Sequence, residues 1–235
     1  MTLEEFEAKE KQIFENMERD GREVREKGLV CGIPESGLRA YLVYLRYPME
    51  LMCVVRDFSE EVRKIIEGKA VAYDTGNLHQ TIGDLIVGER EVFPDRGLFA
   101  KLGEAVFRVF RDNLHNPKTS FGRYVQGKDS IILKPDKNVG NYELISSVVE
   151  ASRMVDINLR GAWGRHMTVS RFTEPLAPMV LTDFNTLIDE SDSPSTFDGD
   201  GRVLPIHAES LNVGYFHLDR SKGFDLQPYC SFYFH

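Results

Sequence analysis

Two short segments repeat a pattern of side chains able to move protons: His79-Gln80-Thr81-Ile82 and His166-Met167-Thr168-Val169. On a β-strand, residues i and i+2 point to one face, so each copy presents an imidazole beside a hydroxyl. Ile82 and Val169 turn the other way, into a core. One imidazole can take a proton from a nucleophile while the other gives one to a leaving oxygen, and an ordinary histidine pKa allows both states near neutral pH. Phosphate-ester cleavage needs that combination. The threonine hydroxyls can donate hydrogen bonds to the non-bridging oxygens as charge builds in the transition state. The arrangement calls for no metal and no cofactor. A single His-x-Thr is an ordinary polar alternation on a half-exposed strand; two copies among six histidines favour chemistry.

Further candidates surround these pairs. In Tyr215-Phe216-His217-Leu218 a strand places Tyr215 and His217 on one face, a wall on which a base could stack, although an ordinary aromatic strand reads the same way. Arg153, Arg160, Arg165 and Arg171 stand against only Asp156, a locally positive stretch that would welcome a phosphate. His115, His207 and His235 have no partner that the sequence names. No GxxxxGK[ST] or GxGxxG is present, so nucleoside triphosphate and dinucleotide readings lack a phosphate cradle. Asp198-Gly199-Asp200-Gly201 lacks the ligand series and closing glutamate of a calcium loop, and the three cysteines form no CxxC pair.

The elements that must position these residues follow from patterning. Residues 2–27 read as a helix with one weakly apolar side, closed by Gly28 and the break at 32–34. Strands are expected at 40–46, 50–56, 70–73 and 78–87, the last carrying the first motif. Ser59 is expected to cap a short helix. Helical spacing returns at 97–113 and 141–155. Strands are expected at 130–133, at 167–172 with the second motif, at 210–218 and at 230–234. The acidic stretch 189–201 reads as a solvated loop. Short strands mixed with helices indicate an α+β fold rather than a doubly wound parallel sheet.

With 235 residues, the chain can build one large or two-lobed domain. A formal charge of -8 excludes a global field for gripping a nucleic-acid backbone, so a nucleotide or RNA end would be held locally, without an extended nucleic-acid surface. The Glu-rich start and the absence of a long apolar run lead to the expectation of a cytoplasmic protein without a membrane segment.

At the two motifs the sequence resembles the 2H phosphoesterase superfamily, whose hallmark is a pair of His-x-Thr/Ser motifs and which includes 2′-5′ RNA ligase-like proteins and cyclic nucleotide phosphodiesterases. The second copy extends to His166-Met167-Thr168-Val169-Ser170-Arg171, like the HxTxxR form of the RNA ligase-like members; the first has Asp84 where the arginine would stand. Arg171 is an odd step from His166, so a regular strand would turn it away unless a bulge intervenes. The resemblance implies a two-lobed fold with pseudo-two-fold related, mainly antiparallel sheets flanked by helices around a central cleft. It also implies a metal-independent hydrolase acting on 2′,3′-cyclic phosphates or 2′-5′ linked nucleotides or RNA. It covers roughly residues 49–235, leaving 1–48 as a helical extension and lead-in. His79, Thr81, His166 and Thr168 are the expected catalytic set, with His166 as general base and His79 as general acid, and Arg171, Tyr215 and His217 the expected substrate contacts. The rival reading is a nucleotide- or RNA-end-binding protein that keeps the pocket without turnover.

Overall fold

A computed structural model describes residues 1–34, 37–87, 94–112, 116–139, 141–191, 193–194, 204–220 and 223–234. In chain order the elements are α1 (Leu3–Lys27), β1 (Leu38–Arg46), α2 (Met49–Ile65), β2 (Ala70–Ala72), β3 (Gln80–Val87), α3 (Arg96–Asp112), β4 (Lys118–Gln126), β5 (Ser130–Val139) and α4 (Asn141–Arg153). They continue with β6 (Arg160–Gly161), β7 (Met167–Phe172), α5 (Thr182–Glu190), β8 (Ile206–His207), β9 (Ser210–Asp219) and β10 (Gly223–Tyr233). The fold is α+β, as the mixed pattern predicts.

α1 starts on a capping box in which the Thr2 hydroxyl accepts from the Glu5 amide and the Glu5 carboxylate accepts from the Thr2 amide. It buries Phe6, Glu10, Phe14 and Val24. The expected strand at 50–56 and the cap at Ser59 are corrected: both lie inside α2. Leu51, Met52, Val55, Ser59 and Val62 form its buried face, while Val54 remains half exposed, which is helical rather than alternating burial. Two segments without an expected strand, at 118–126 and 223–229, extend the sheet at opposite ends.

All ten strands join one antiparallel sheet in the order β10-β9-β1-β3-β7-β5-β4-β8, with β2 added to β7 and β6 to β3. Its centre has near two-fold symmetry. β1-α2-β2-β3 and β5-α4-β6-β7 repeat strand, helix, short strand and motif strand, and each short strand crosses to the other unit's motif strand. The registers match: Gly83 pairs with Gly161 and Asp84 with Arg160, while Ser170 pairs with Ala72 and Arg171 with Val71. The motif strands meet through one pair, Gln80 with Met167, the middle residues of the two His-x-Thr copies. The pseudo-axis therefore runs between the motifs.

A boundary after residue 48 would cut through this sheet. β1 lies between β3 and β9, paired along its whole length, and α1 packs on β4. Among the described residues, no helix is long and apolar enough to cross a membrane.

Candidate active site

Both motif strands carry a bulge at the same place. Between β1 and β3 the register runs from Val43–Gly83 to Tyr44–Thr81, leaving Ile82 as the extra residue; between β5 and β7 it runs from Ile131–Ser170 to Ile132–Thr168, leaving Val169. A bulge changes the parity of everything beyond it. His79 and Thr81 consequently share a face with Asp84, and His166 and Thr168 with Arg171, and all six line one cleft of about 310 Å³. The odd spacing of Arg171 from His166 is thereby resolved.

The two bulges are held differently. The Ile82 carbonyl accepts directly from the Ala162 amide at 3.0 Å. At the twin position a hydroxyl is interposed: the Tyr73 amide donates to Ser59 Oγ at 3.1 Å, and Ser59 Oγ donates to the Val169 carbonyl at 2.8 Å. Behind the motif face, the buried side chain of Gln80 accepts from Tyr47, whose phenol also meets Thr119 Oγ1 at 2.8 Å. Asn141 Nδ2 donates to the same Thr119 oxygen at 2.8 Å. Burial raises the Tyr47 phenol above its ordinary pKa, so it remains a neutral donor in this network.

The imidazoles have unlike seats. His79 stacks on Phe224 with centroids 5.7 Å apart, and its Nδ1 lies 2.6 Å from the Asn77 carbonyl. A carbonyl only accepts, so Nδ1 carries the hydrogen and Nε2 the lone pair of the neutral ring. His166 stacks on Trp163 at 4.1 Å and meets the edge of Phe14 of α1 at 6.5 Å. Its Nδ1 makes no well-formed hydrogen bond among the described residues, although the Gly164 carbonyl lies near enough to act on the ring. Burial, with Arg46 and Arg171 adding to it, lowers the His79 pKa to about 4, against the pull of the Asn77 carbonyl. Burial, then the Arg171 and His79 charges, lowers His166 to about 3, against the Gly164 carbonyl. Burial thus favours the neutral form of both rings, and the Asn77 carbonyl on Nδ1 favours the protonated form of His79.

Tyr215 and His217 do not line the cleft; Phe216 and Leu218 do. Leu38 and Leu42 of β1 face the cleft, and across the ladder Leu38 opposes Leu218, which fixes the even-numbered residues of β9 on that side. Tyr215 is buried on the opposite face, edge-on to Tyr41 at 5.2 Å. The aromatic wall is built instead from Phe216, Phe224 and Tyr73, with Phe224 stacked on both others. Tyr73 and Phe224 carry no motif, and only the register places them here.

The arginine-rich stretch divides into separate roles. Arg171 lies in the cleft beside both imidazoles. Arg160, also at the cleft, donates twice to Asp84, at 2.9 and 2.8 Å, so the first motif holds its arginine by an ion pair from β6. Arg165 turns away into a buried pair with Glu10 of α1, Nη2 to Oε2 at 2.5 Å, with its amide also donating to Glu10 Oε1 at 2.5 Å. Arg153 is exposed at the end of α4. α1 thus grips the residue before His166 and brings Lys9 to the cleft, a part that no motif in 1–48 announces. Among the described residues no three His, Cys, Asp or Glu side chains gather as a metal-ligand set. His115, His235 and Asp198–Asp200 lie outside the described residues, while Asp189 pairs with Arg25 at 2.5 Å.

No protein family matches the sequence, and no curated protein matches it. Solved structures do match. TT0787 of Thermus thermophilus superposes with a TM-score of 0.52 at 14% identity, over 83% of this chain and 97% of that one. LigT of E. coli complexed with 3′-AMP gives 0.51 at 10% identity over 83% and 98%, and LigT complexed with ATP gives 0.50 at 11% over the same shares. At these identities the likeness is one of architecture, and it spans nearly the whole of each relative. With its paired units, crossed short strands and central cleft, the chain shares the two-lobed α+β fold of TT0787 and LigT.

Proposed function

We propose that this protein is a metal-independent phosphodiesterase, with a 2′,3′-cyclic phosphate or a 2′-5′ linked nucleotide or RNA end as substrate. The observation that carries the reading is the convergence of both His-Thr pairs and Arg171 in one cleft. Acid, base, oxyanion donors and a countercharge for the phosphate are then all supplied by side chains. The binding of 3′-AMP and ATP by LigT, on the same fold, supports a nucleotide in this cleft.

His166 is the general base, its neutral ring taking the proton of the attacking water or hydroxyl. His79 is the general acid. Its Nδ1–H is tied to the Asn77 carbonyl, an arrangement that favours the charged ring and aims Nε2–H at the leaving oxygen. Thr81 and Thr168 donate to the non-bridging oxygens, and Arg171 offsets their charge.

The rival, a nucleotide- or RNA-end-binding protein without turnover, is favoured by the burial of both imidazoles, which lowers their pKa values and disfavours the charged acid the reaction needs. A panel of 2′,3′-cyclic nucleotides, 3′,5′-cyclic nucleotides and 2′-5′ linked oligonucleotides, incubated in excess chelator, separates the two. Hydrolysis of at least one is expected, lost in His79→Ala and His166→Ala. Binding without turnover would establish the rival, and turnover only on adding back a divalent ion would end the metal-free mechanism.

A further inference from the structure

The cleft is one half of a larger concavity. A second cavity of about 220 Å³ lies across His166 from it, and the two share Trp163, His166, Thr168 and Arg171. By the pseudo-symmetry its floor is the counterpart of the first: β5 flanks β7 as β1 flanks β3. Ile132 and Ser130, which oppose Thr168 and Arg171 in the ladder, both line it. Its roof is α1, through Met17 and Asp20.

The two chambers differ in chemistry. The first is walled by Phe216, Phe224, Tyr73 and the leucines of β1, apolar and aromatic surface suited to the face of a base. The second presents the Asp20 and Asp129 carboxylates and Ser130, whose hydroxyl donates to Asp129 Oδ1 at 2.8 Å; its one lysine, Lys128, is exposed. Carboxylates accept from hydroxyl groups and repel a second phosphate. By volume, either chamber sits at or below the floor of the roughly 300–1,000 Å³ that small-molecule sites occupy, and the two together fall inside that range.

Building on the phosphodiesterase reading, we propose that the substrate is a two-armed diester whose phosphorus sits between the histidine-threonine pairs. A base occupies the aromatic chamber and an uncharged, hydroxyl-rich group, such as a nucleoside or sugar, occupies the chamber under α1. α1 is then a specificity element that selects such diesters over mononucleotides.

Trp163 is the only tryptophan in the chain and borders both chambers, so its fluorescence reports occupancy of either. The test titrates a 2′-5′ dinucleoside phosphorothioate diester and a nucleoside 3′-monophosphate into wild type and Asp20→Phe, which fills the second chamber from its roof. The variant is expected to raise the Kd of the dinucleotide about tenfold or more while leaving that of the mononucleotide within about twofold. An unchanged dinucleotide Kd, or an equal loss for both ligands, would overturn the proposal. Asp20→Asn, which changes charge with little change of shape, should improve binding of a dinucleotide bearing a terminal phosphate on the second arm; no improvement would count against the carboxylate's role. Turnover of the unmodified dinucleotide and of a 2′,3′-cyclic nucleotide, read in parallel, keeps the two readings apart: selective dinucleotide binding with neither cleaved overturns the phosphodiesterase and leaves the subsite, whereas a dinucleotide that does not bind wild type overturns the subsite and leaves the phosphodiesterase reading to the cyclic substrate.

Discussion

Ser59→Ala isolates the device that places Arg171. The side chain is fully buried, as is Val169, and Tyr73 nearly so; the hydroxyl is the only link between the Tyr73 amide and the Val169 carbonyl. Removing it strands a donor and an acceptor, each costing about 1–3 kcal/mol when left unmade in a core. Partial recovery is available, because the twin site shows an amide reaching a bulge carbonyl directly, Ala162 to Ile82 at 3.0 Å. β2 can therefore close part of the gap, at the expense of shifting Val169. A loss of about 2–3 kcal/mol is expected in urea unfolding, a large share of the roughly 5–15 kcal/mol of a typical domain. A shifted bulge re-aims Arg171, so turnover should also fall, by no more than in Arg171→Ala. The double variant should be no slower than Arg171→Ala alone, because both changes act on one contact. A stability loss under about 0.5 kcal/mol, or rate losses that multiply in the double variant, would refute the coupling between serine, bulge and arginine.

With pKa values near 4 for His79 and 3 for His166, the required acid is lost as pH rises through the His79 value, so kcat/KM should fall about tenfold per pH unit between pH 5 and 8, and both rings should titrate below pH 5 by NMR. A maximum of kcat/KM near pH 6.5–7, the region expected from unperturbed histidines, would show that burial does not control them. Since the unfolded chain takes up protons that the buried rings refuse, stability should also decline as pH falls from about 6.5 toward 4. Thr81→Val and Thr168→Val should each lower kcat about 10- to 1,000-fold with smaller changes in KM, as for lost transition-state donors. Wild-type kcat in both would leave the threonines with a structural role only.

Much of the site was legible because strand alternation and histidine chemistry are local. The His-x-Thr pairs and their strands follow from spacing, as do the helices expected at 97–113 and 141–155 and found at Arg96–Asp112 and Asn141–Arg153. What failed was parity. A one-residue change of phase moves every later side chain to the other face, and nothing in Thr168-Val169-Ser170 or in Tyr215-Phe216-His217 marks where the phase changes or which face looks inward. That is why simple alternation turns Arg171 away from His166 and does not distinguish Tyr215 and His217 from Phe216 and Leu218, the pair that lines the cleft. The run Leu51-Met52-Cys53-Val54-Val55 is apolar in either geometry, so only burial by a neighbouring element distinguishes helix from strand. The strand at 118–126 escaped because its own irregularities, between Ser120 and Tyr124, break the alternation by which strands are recognised.

In the proposed mechanism, the departures from the two-fold repeat are what give the chemistry direction. Two equal lobes would supply two equal imidazoles, and an acid and a base cannot be equal. The repeat brings the His-Thr pairs together, and each asymmetry then separates them. Asn77 holds the Nδ1 of one ring at 2.6 Å while the other makes no such well-formed bond among the described residues; Arg171 stands where Asp84 stands in the twin strand; and α1 covers one floor while aromatic rings wall the other. The buried Glu10–Arg165 pair makes this asymmetry part of the fold. Glu10→Ala, with α1 still in place, would leave the buried Arg165 guanidinium without its close partner, a penalty of about 3–5 kcal/mol when one member of a buried pair is lost. The helix that roofs the second chamber is thus fixed through Arg165, the residue before His166, and its Phe14 meets that ring, so under the proposed function substrate selection and proton transfer would depend on one element.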